Sequence, residues 1–151
     1  SSAASDVYKR QIQGDAFIFD LFYDRLSKVE PISERTPIFR NIHLSNVTGN
    51  DIKRIGYIKG IEEMPISELS FSNMNIVAGK GFQAETATDI RFNNVSFTVE
   101  EGPSLNIRQC KDIFLNDVRT KQPIAGQPVV DLEAIENLSI IHCDSTQIVR
   151  K

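Results

Sequence analysis

The feature of this sequence that most constrains its fold is a short motif that occurs five times. In its clearest copy Asp89 precedes three apolar residues, Ile90, Phe92 and Val95, and Asn94 stands directly before the valine. The first apolar positions of the five copies are residues 42, 69, 90, 113 and 138, so the intervals are 27, 21, 23 and 25 residues. A period in this range is typical of a solenoid, in which each repeat forms one coil. The sequence therefore predicts a repeat architecture.

Each of the first four repeats contains a second apolar segment, and these segments are residues 56–61, 81–84, 105–107 and 129–132, with first apolar positions at Tyr57, Phe82, Leu105 and Val129. Both segments alternate apolar with polar residues, which is typical of strands with one buried face. The links between them carry glycine and proline, which form turns rather than helices. We expect an all-β, right-handed, single-stranded parallel β-helix of about five coils, incomplete at its N-terminal end.

The stacking of coils makes a specific prediction about which side chains point inward. Phe92 is expected to be buried, whereas Arg91 beside it is expected to point outward. The first apolar residues of the motifs are expected to form one inward column, which consists of Ile42, Leu69, Ile90, Ile113 and Leu138. A leucine-rich repeat has a similar period, but its consensus spaces three leucines before the asparagine and has no second strand of this kind.

The chain divides into three parts of different character. Residues 1–11 share nothing with the repeats and resemble a cloning or sequencing-adaptor scar. Residues 12–38 are interpreted as an entering strand, the apolar run 16–22, followed by a long surface excursion at 23–38 that contains two prolines. Residues 39–151 are predicted to form the β-helix coils.

Composition excludes several classes of partner. The 151 residues include 17 basic and 20 acidic side chains, and this slightly acidic balance argues against nucleic acid and against an anionic membrane surface. No run is long enough for a transmembrane helix, and no signal peptide is recognised at the start. Cys110 and Cys143 are too few for a disulfide framework or a zinc site, and we expect two unpaired thiols.

Few residues suggest chemistry of their own. The adjacent carboxylates Glu62 and Glu63, like Glu100 and Glu101, fall at turns, where solvated charges are the favoured interpretation. His43 and His142 have no partners at metal-ligand spacing, so a metal site is not predicted. No nucleophile motif and no phosphate loop is present. The sequence therefore assigns no catalytic, cofactor-binding or metal residue, and it implies no cofactor.

Two polar arrays have alternative interpretations. Asn46, Asn73 and Asn94 align between coils, either as a ladder that fixes the register, which we favour, or as a polar groove for sugar hydroxyls. Asp117 and His142 continue that column only approximately. The second strands present outward residues that line either a ligand-facing sheet or, as we favour, an ordinary solvent face; these residues are Lys59, Gln83, Glu85, Asn106, Arg108 and Asp131.

A family resemblance rests on residues 36–47 (TPIFRNIHLSNV) followed by residues 56–66 (GYIKGIEEMPI). This order of elements, together with the preceding strand 16–20 and the motif 90–95, resembles the C-terminal coils of polygalacturonase-like glycoside hydrolases, family 28, which have the pectin-lyase-like β-helix. The resemblance extends over roughly residues 14–145.

The resemblance implies an inverting hydrolysis of α-1,4-galacturonosyl bonds in pectin, and so a pectic polysaccharide or oligogalacturonide as the parent enzyme's partner. It also implies a periplasmic or secreted location. The family's Asn-Thr-Asp, Gly-Asp-Asp, Gly-His-Gly and Arg-Ile-Lys segments are absent from this sequence. We therefore expect a C-terminal fragment that begins downstream of the active site and is inactive alone. Some members of the family have a tyrosine that contributes to substrate binding. Neither Tyr23 nor Tyr57 is assigned to that role.

Other functions remain open at this point. A non-enzymatic β-solenoid, either an adhesin or a carbohydrate-binding module, would show the same repeats. A polysaccharide lyase fragment would also share the β-helix. The reading frame upstream of residue 14 would separate these alternatives, because the catalytic segments of the hydrolase family precede the entering strand.

Overall fold

The computed structural model describes residues 15–20, 40–63 and 66–151, and within them the protein is all-β. Apart from one 3-10 turn at Ser145–Gln147, the regular structure consists of strands. They are β1 (Asp15–Asp20), β2 (Arg40–Lys59), β3 (Ile66–Glu85), β4 (Ala87–Val99), β5 (Leu105–Arg108), β6 (Lys111–Arg119), β7 (Val130–Glu133), β8 (Glu136–Ile141) and β9 (Ile148–Arg150). All strand pairs are parallel, and the chain forms a β-solenoid of about four turns. The predicted parallel β-helix fold is confirmed.

The strands form two stacks, because β2 and β3 are long enough to pass through a corner of the solenoid. The first stack contains the N-terminal halves of β2 and β3, followed by β4, β6 and β8. The second stack contains β1, the C-terminal halves of β2 and β3, and then β5, β7 and β9. Successive coils therefore hydrogen-bond along both stacks, which is how short strands obtain partners in a solenoid.

The register of the first stack confirms the predicted inward column. Ile42 pairs with Leu69, which pairs in turn with Ile90, and the column continues through Ile113 to Leu138. Leu69, Ile90 and Ile113 are fully buried, whereas the two end members are partly buried and pack against the core. The apolar motif therefore sets the register, because a slip of one residue would turn this column to solvent.

The register of the second stack places Lys59 and Asp131 in outward columns, as predicted, and it shows which residues of the first and fourth coils pair with Phe82 and Leu105. The column that contains Phe82 and Leu105 continues through Gly56 and Val130, not through Tyr57 and Val129. Gly56 is buried but has no side chain, so the apolar pattern does not reveal it. Tyr57 is consequently in the outward column, beside Gln83.

Four phenylalanine rings form the centre of the core. Phe92 stacks on Phe71 with ring centroids 5.0 Å apart, and it meets the edge of Phe82 at 5.4 Å. Phe97 lies 6.3 Å from Phe92 and completes the cluster. These distances lie in the range at which aromatic pairs add to the stability gained from burial alone. The cluster joins both stacks across the inside of the solenoid.

The polar residues of the motif occupy the corners of each coil. Asp89 and Asn94 both have a φ of +57°, a left-handed conformation that asparagine and aspartate adopt more readily than other side chains. The equivalent residues of the other coils share it, and they are Asn41, Asn46, Glu68, Asn73, Asp112, Asp117, Asn137 and His142. The motif therefore encodes two backbone bends per coil as well as one apolar face.

Some sequence predictions lie wholly or partly outside the described residues. A strand does occur at Asp15–Asp20, within the predicted entering segment, and it pairs with the second half of β2. The burial of its side chains, the predicted excursion at 23–38 and the segment at 1–11 lie outside what the structure describes.

Candidate functional site

The outward face of the second stack carries the richest array of polar side chains. One outward column contains Tyr57, Gln83, Asn106 and Asp131 in successive strands. The next outward column contains Lys59, Glu85, Arg108 and Glu133, in which the charge alternates from strand to strand. Arg108 and Glu133 form an ion pair of 3.6 Å. All six residues predicted to point outward from the second strands therefore lie on one face.

A groove of about 520 Å³ lies along this face, and we name it the Arg54–Lys80 groove. Gln83 and Asn106 lie on the strands that form its floor, and the turn at 101–103 and Gln127 border it. The lining also includes two cations, Arg54 and Lys80. Its volume lies within the range of about 300–1,000 Å³ that is usual for small-ligand sites.

The charges in the groove are arranged unequally. Arg54 and Lys80 are register partners in β2 and β3, so both cations lie on the same side. Glu101 is the one carboxylate among the described residues of the lining, and its Oε1 is 3.7 Å from Nζ of Lys80. The guanidinium of Arg54 lies 5.1 Å from the ring centre of Tyr57. Of the described lining residues, two are cations and one is a carboxylate, and the register partner of Arg54 on β1 is Asp15.

Close packing between two coils shapes the groove. A side chain at Gly81 would lie 2.3 Å from the carbonyl oxygen of Pro103, so only glycine allows the coils to approach there. The amide of Glu101 donates to the carbonyl of Gly79 at 3.1 Å, which holds the turn against β3. The buried hydroxyl of Ser104 donates to the carbonyl of Phe97 at 2.6 Å. Backbone contacts and one buried hydroxyl therefore position the wall that carries Glu101.

The asparagine ladder predicted from the sequence is present. The side-chain amide of Asn94 donates to Oδ1 of Asn73 at 2.9 Å, and that of Asn73 donates to Oδ1 of Asn46 at 3.4 Å. Beyond Asn94 the pattern changes, because Arg119 donates to Oδ1 of Asn94 at 3.0 Å. Asp117 has the equivalent left-handed backbone conformation in the next coil, but it is not part of the amide ladder.

Replacing Asn73 by alanine should lower the free energy of unfolding by about 1–2 kcal/mol, because alanine is disfavoured at a positive φ. Asn73→Gly also removes both amide bonds, but glycine adopts this conformation freely, so its cost should be smaller. Denaturant unfolding of the two variants separates the backbone contribution from the hydrogen-bond contribution. Equal destabilisation by the two substitutions would contradict the assigned role of the left-handed corner.

The other candidates from the sequence do not form a site. Glu62, Glu63, Glu100 and Glu101 are exposed at turns, as expected, and only Glu101 lines the groove. His43 is exposed in the first stack, and its Nε2 is 3.0 Å from Oδ1 of Asn41. His142 is exposed as well, and its Nδ1 lies 2.9 Å from Oδ1 of Asn116. These histidines therefore take part in the polar network of the corners.

One pair of carboxylates was missed by sequence reasoning, which considered only adjacent acids. Asp131 and Glu133 are two residues apart on β7 and point to the same face. Their Cα atoms are roughly 6.6 Å apart along the strand, and inverting glycosidases hold their two carboxyl groups about 6.5–9.5 Å apart. Each carboxylate has a cationic neighbour, since Asp131 lies 4.0 Å from Lys151 and Glu133 lies 3.6 Å from Arg108. The strand period of two residues is the signal that would have found them.

The two cysteines are free thiols at different positions in their coils. Burial raises the pKa of the Cys110 thiol to about 11, so it stays protonated at neutral pH. In the part of the chain that the structure describes, no cluster of three or more acidic, histidine or cysteine side chains could hold a metal ion. The same residues include no helix with the length and apolar character to cross a membrane.

The fold and the groove together define a class, a parallel β-solenoid with a polar groove on one face. Comparisons with protein-family models, with curated proteins and with solved structures find no match to this chain. The assignment of function therefore depends on the sequence motifs and the geometry of the groove.

Proposed function

We propose that this chain is part of a pectin-degrading glycoside hydrolase related to the polygalacturonases of family 28. The parent enzyme would hydrolyse α-1,4-galacturonosyl bonds with inversion, in the periplasm or outside the cell. The observation that carries this proposal is the run 36–47 followed by 56–66, which resembles the family's C-terminal coils. The parallel pairing of β2 with β3, which contain residues 40–47, 56–59 and 66 of these runs, supports it.

Under this proposal the chain contributes structure and substrate contacts, and the chemistry belongs to segments that this sequence lacks. Inverting hydrolysis needs a protonated carboxyl group as the acid and an ionised one as the base. Asp131 and Glu133 each lie within 4.0 Å of a cation, as members of the charged array on this face.

The chain as given should release no reducing sugar from polygalacturonate, whereas the longest reading frame that contains it should do so. The variant Asp131→Asn, combined with Glu133→Gln, is the matched test of the one carboxylate pair described above. If the purified chain cleaves polygalacturonate and this double variant does not, the catalytic site lies on β7 and the division of labour proposed here is wrong. Inactivity of the longer reading frame on all pectic substrates would contradict the enzyme assignment.

A carbohydrate-binding module without catalysis is the second candidate, and the Arg54–Lys80 groove is the observation that favours it. Amide side chains with adjacent charges are suited to sugar hydroxyls and carboxylates. The two candidates differ in the longer reading frame, since a module or an adhesin would bind polysaccharide and leave it intact. A polysaccharide lyase would instead give products with an unsaturated sugar ring, which absorb in the ultraviolet.

A further inference from the structure

The Arg54–Lys80 groove has a ligand chemistry that its lining residues specify. Its two cations lie on neighbouring strands, and its floor presents the amides of Gln83 and Asn106. Cations bind carboxylates, and amides donate to and accept from hydroxyl groups. A ligand that offers carboxylates and hydroxyls together would therefore satisfy both kinds of lining residue.

We propose that the Arg54–Lys80 groove is a binding site for an acidic oligosaccharide, with sugar carboxylates at Arg54 and Lys80 and sugar hydroxyls at Gln83 and Asn106. This inference rests on the proposed function and adds to it a specific subsite on this chain. The lining residues come from β2, β3 and β5, so a ligand in the groove would contact three successive coils.

Glu101 limits the affinity of the groove for an anion. Its carboxylate lies 3.7 Å from the ammonium of Lys80, and both side chains are more than half exposed, so the ion pair itself is weak. A bound carboxylate would compete with Glu101 for Lys80 and would be repelled by it. Removal of the Glu101 charge should therefore strengthen binding, an effect that local unfolding of the variant cannot imitate.

The test is calorimetric titration of the 151-residue chain with oligogalacturonides, with their fully methyl-esterified forms and with a neutral β-glucan oligosaccharide. The acidic ligand should bind with an affinity that falls as salt is added, and the two uncharged ligands should bind at least tenfold more weakly. Lys80→Gln should weaken binding at least fivefold, and the double variant with Arg54→Gln should abolish it.

Control variants make the same change of charge at a residue of the first stack, outside the groove. Arg91→Gln removes an exposed cation there and should leave the affinity unchanged. Glu101→Gln should tighten binding about threefold or more, whereas Glu136→Gln, on β8, should have no such effect. Circular dichroism spectra that match the unmodified chain show that each variant is folded.

The outcomes separate the subsite from the proposed enzyme class. Equal losses from Lys80→Gln and Arg91→Gln, or binding that survives the double variant, would overturn the groove assignment and leave the polygalacturonase proposal standing. Binding of another uronic-acid polymer in the groove, without oligogalacturonide binding, would support the acidic-sugar site and contradict the pectin assignment. Absence of binding to every acidic ligand would overturn the inference.

Discussion

Replacing Phe92 by alanine is expected to lower the free energy of unfolding by about 3–5 kcal/mol. The ring is 0 % exposed and lies between Phe71 at 5.0 Å and Phe82 at 5.4 Å. Its removal would leave a cavity in the core. The backbones of both stacks are fixed by hydrogen bonds between coils, so the neighbouring side chains cannot move far enough to fill it. Denaturant unfolding followed by circular dichroism measures the loss as a lower transition midpoint.

Arg91→Ala is the matched control, because Arg91 is the neighbour of Phe92 on the same strand and faces solvent. Its side chain is 64 % exposed and makes an ion pair of 3.4 Å with Asp89. Exposed pairs of this kind contribute little, and the change in unfolding free energy should stay within about ±0.5 kcal/mol. Two variants of equal stability would show that the inward and outward assignment of this strand is wrong.

The first stack could be predicted from the sequence because its motif carries two independent signals. The alternation of Ile90 and Phe92 with polar residues fixes the buried face, and the repeat interval fixes which residues stack. Asp89 and Asn94 provide the second signal, since residues that tolerate a left-handed backbone recur at fixed distances from the apolar positions. The recurrence of these residues predicted the repeat, but their role as corners became visible only in the backbone conformation.

The second stack was harder to place because its strands are short and one key position has no side chain. Gly56 fills the inward column, and the first apolar residue of that segment, Tyr57, lies in the outward column. In the fourth coil two adjacent valines are both buried, and the one that pairs with Leu105 is Val130. Alternation alone cannot distinguish two registers when one of the inward residues is glycine, so only the pairing of the strands decides between them.

The groove could be predicted only in part. Gln83 and Asn106 were expected to point outward, and they do. Arg54, Lys80 and Glu101 were not grouped with them, because they belong to different coils and come together through strand register and the turn after β4. No local motif marks such a site, since Arg54, Lys80 and Glu101 are each more than 20 residues apart in sequence and each is ordinary by itself.

Replacing Gly81 by alanine is expected to lower the free energy of unfolding by about 3 kcal/mol or more, because a forced contact with backbone cannot be relieved by a rotamer change. The added methyl group would lie 2.3 Å from the carbonyl oxygen of Pro103 and 2.4 Å from that of Ser104, so two coils would have to separate. The amide of Phe82, which donates to the carbonyl of Ser104 at 2.9 Å, would lose its partner in that movement. Denaturant unfolding measures the effect.

Gly102→Ala is the control for Gly81→Ala, because it places the same methyl group on the neighbouring turn, where no atom lies within 4 Å of it. Gly102 has a φ of +73°, so alanine there should cost about 1–2 kcal/mol from backbone strain alone. A larger loss at Gly81, where the backbone is not left-handed, would therefore come from the close approach of the coils. If Gly102→Ala were the more damaging change, the stability of this region would depend on the turn, and the contact at Gly81 would not control the groove.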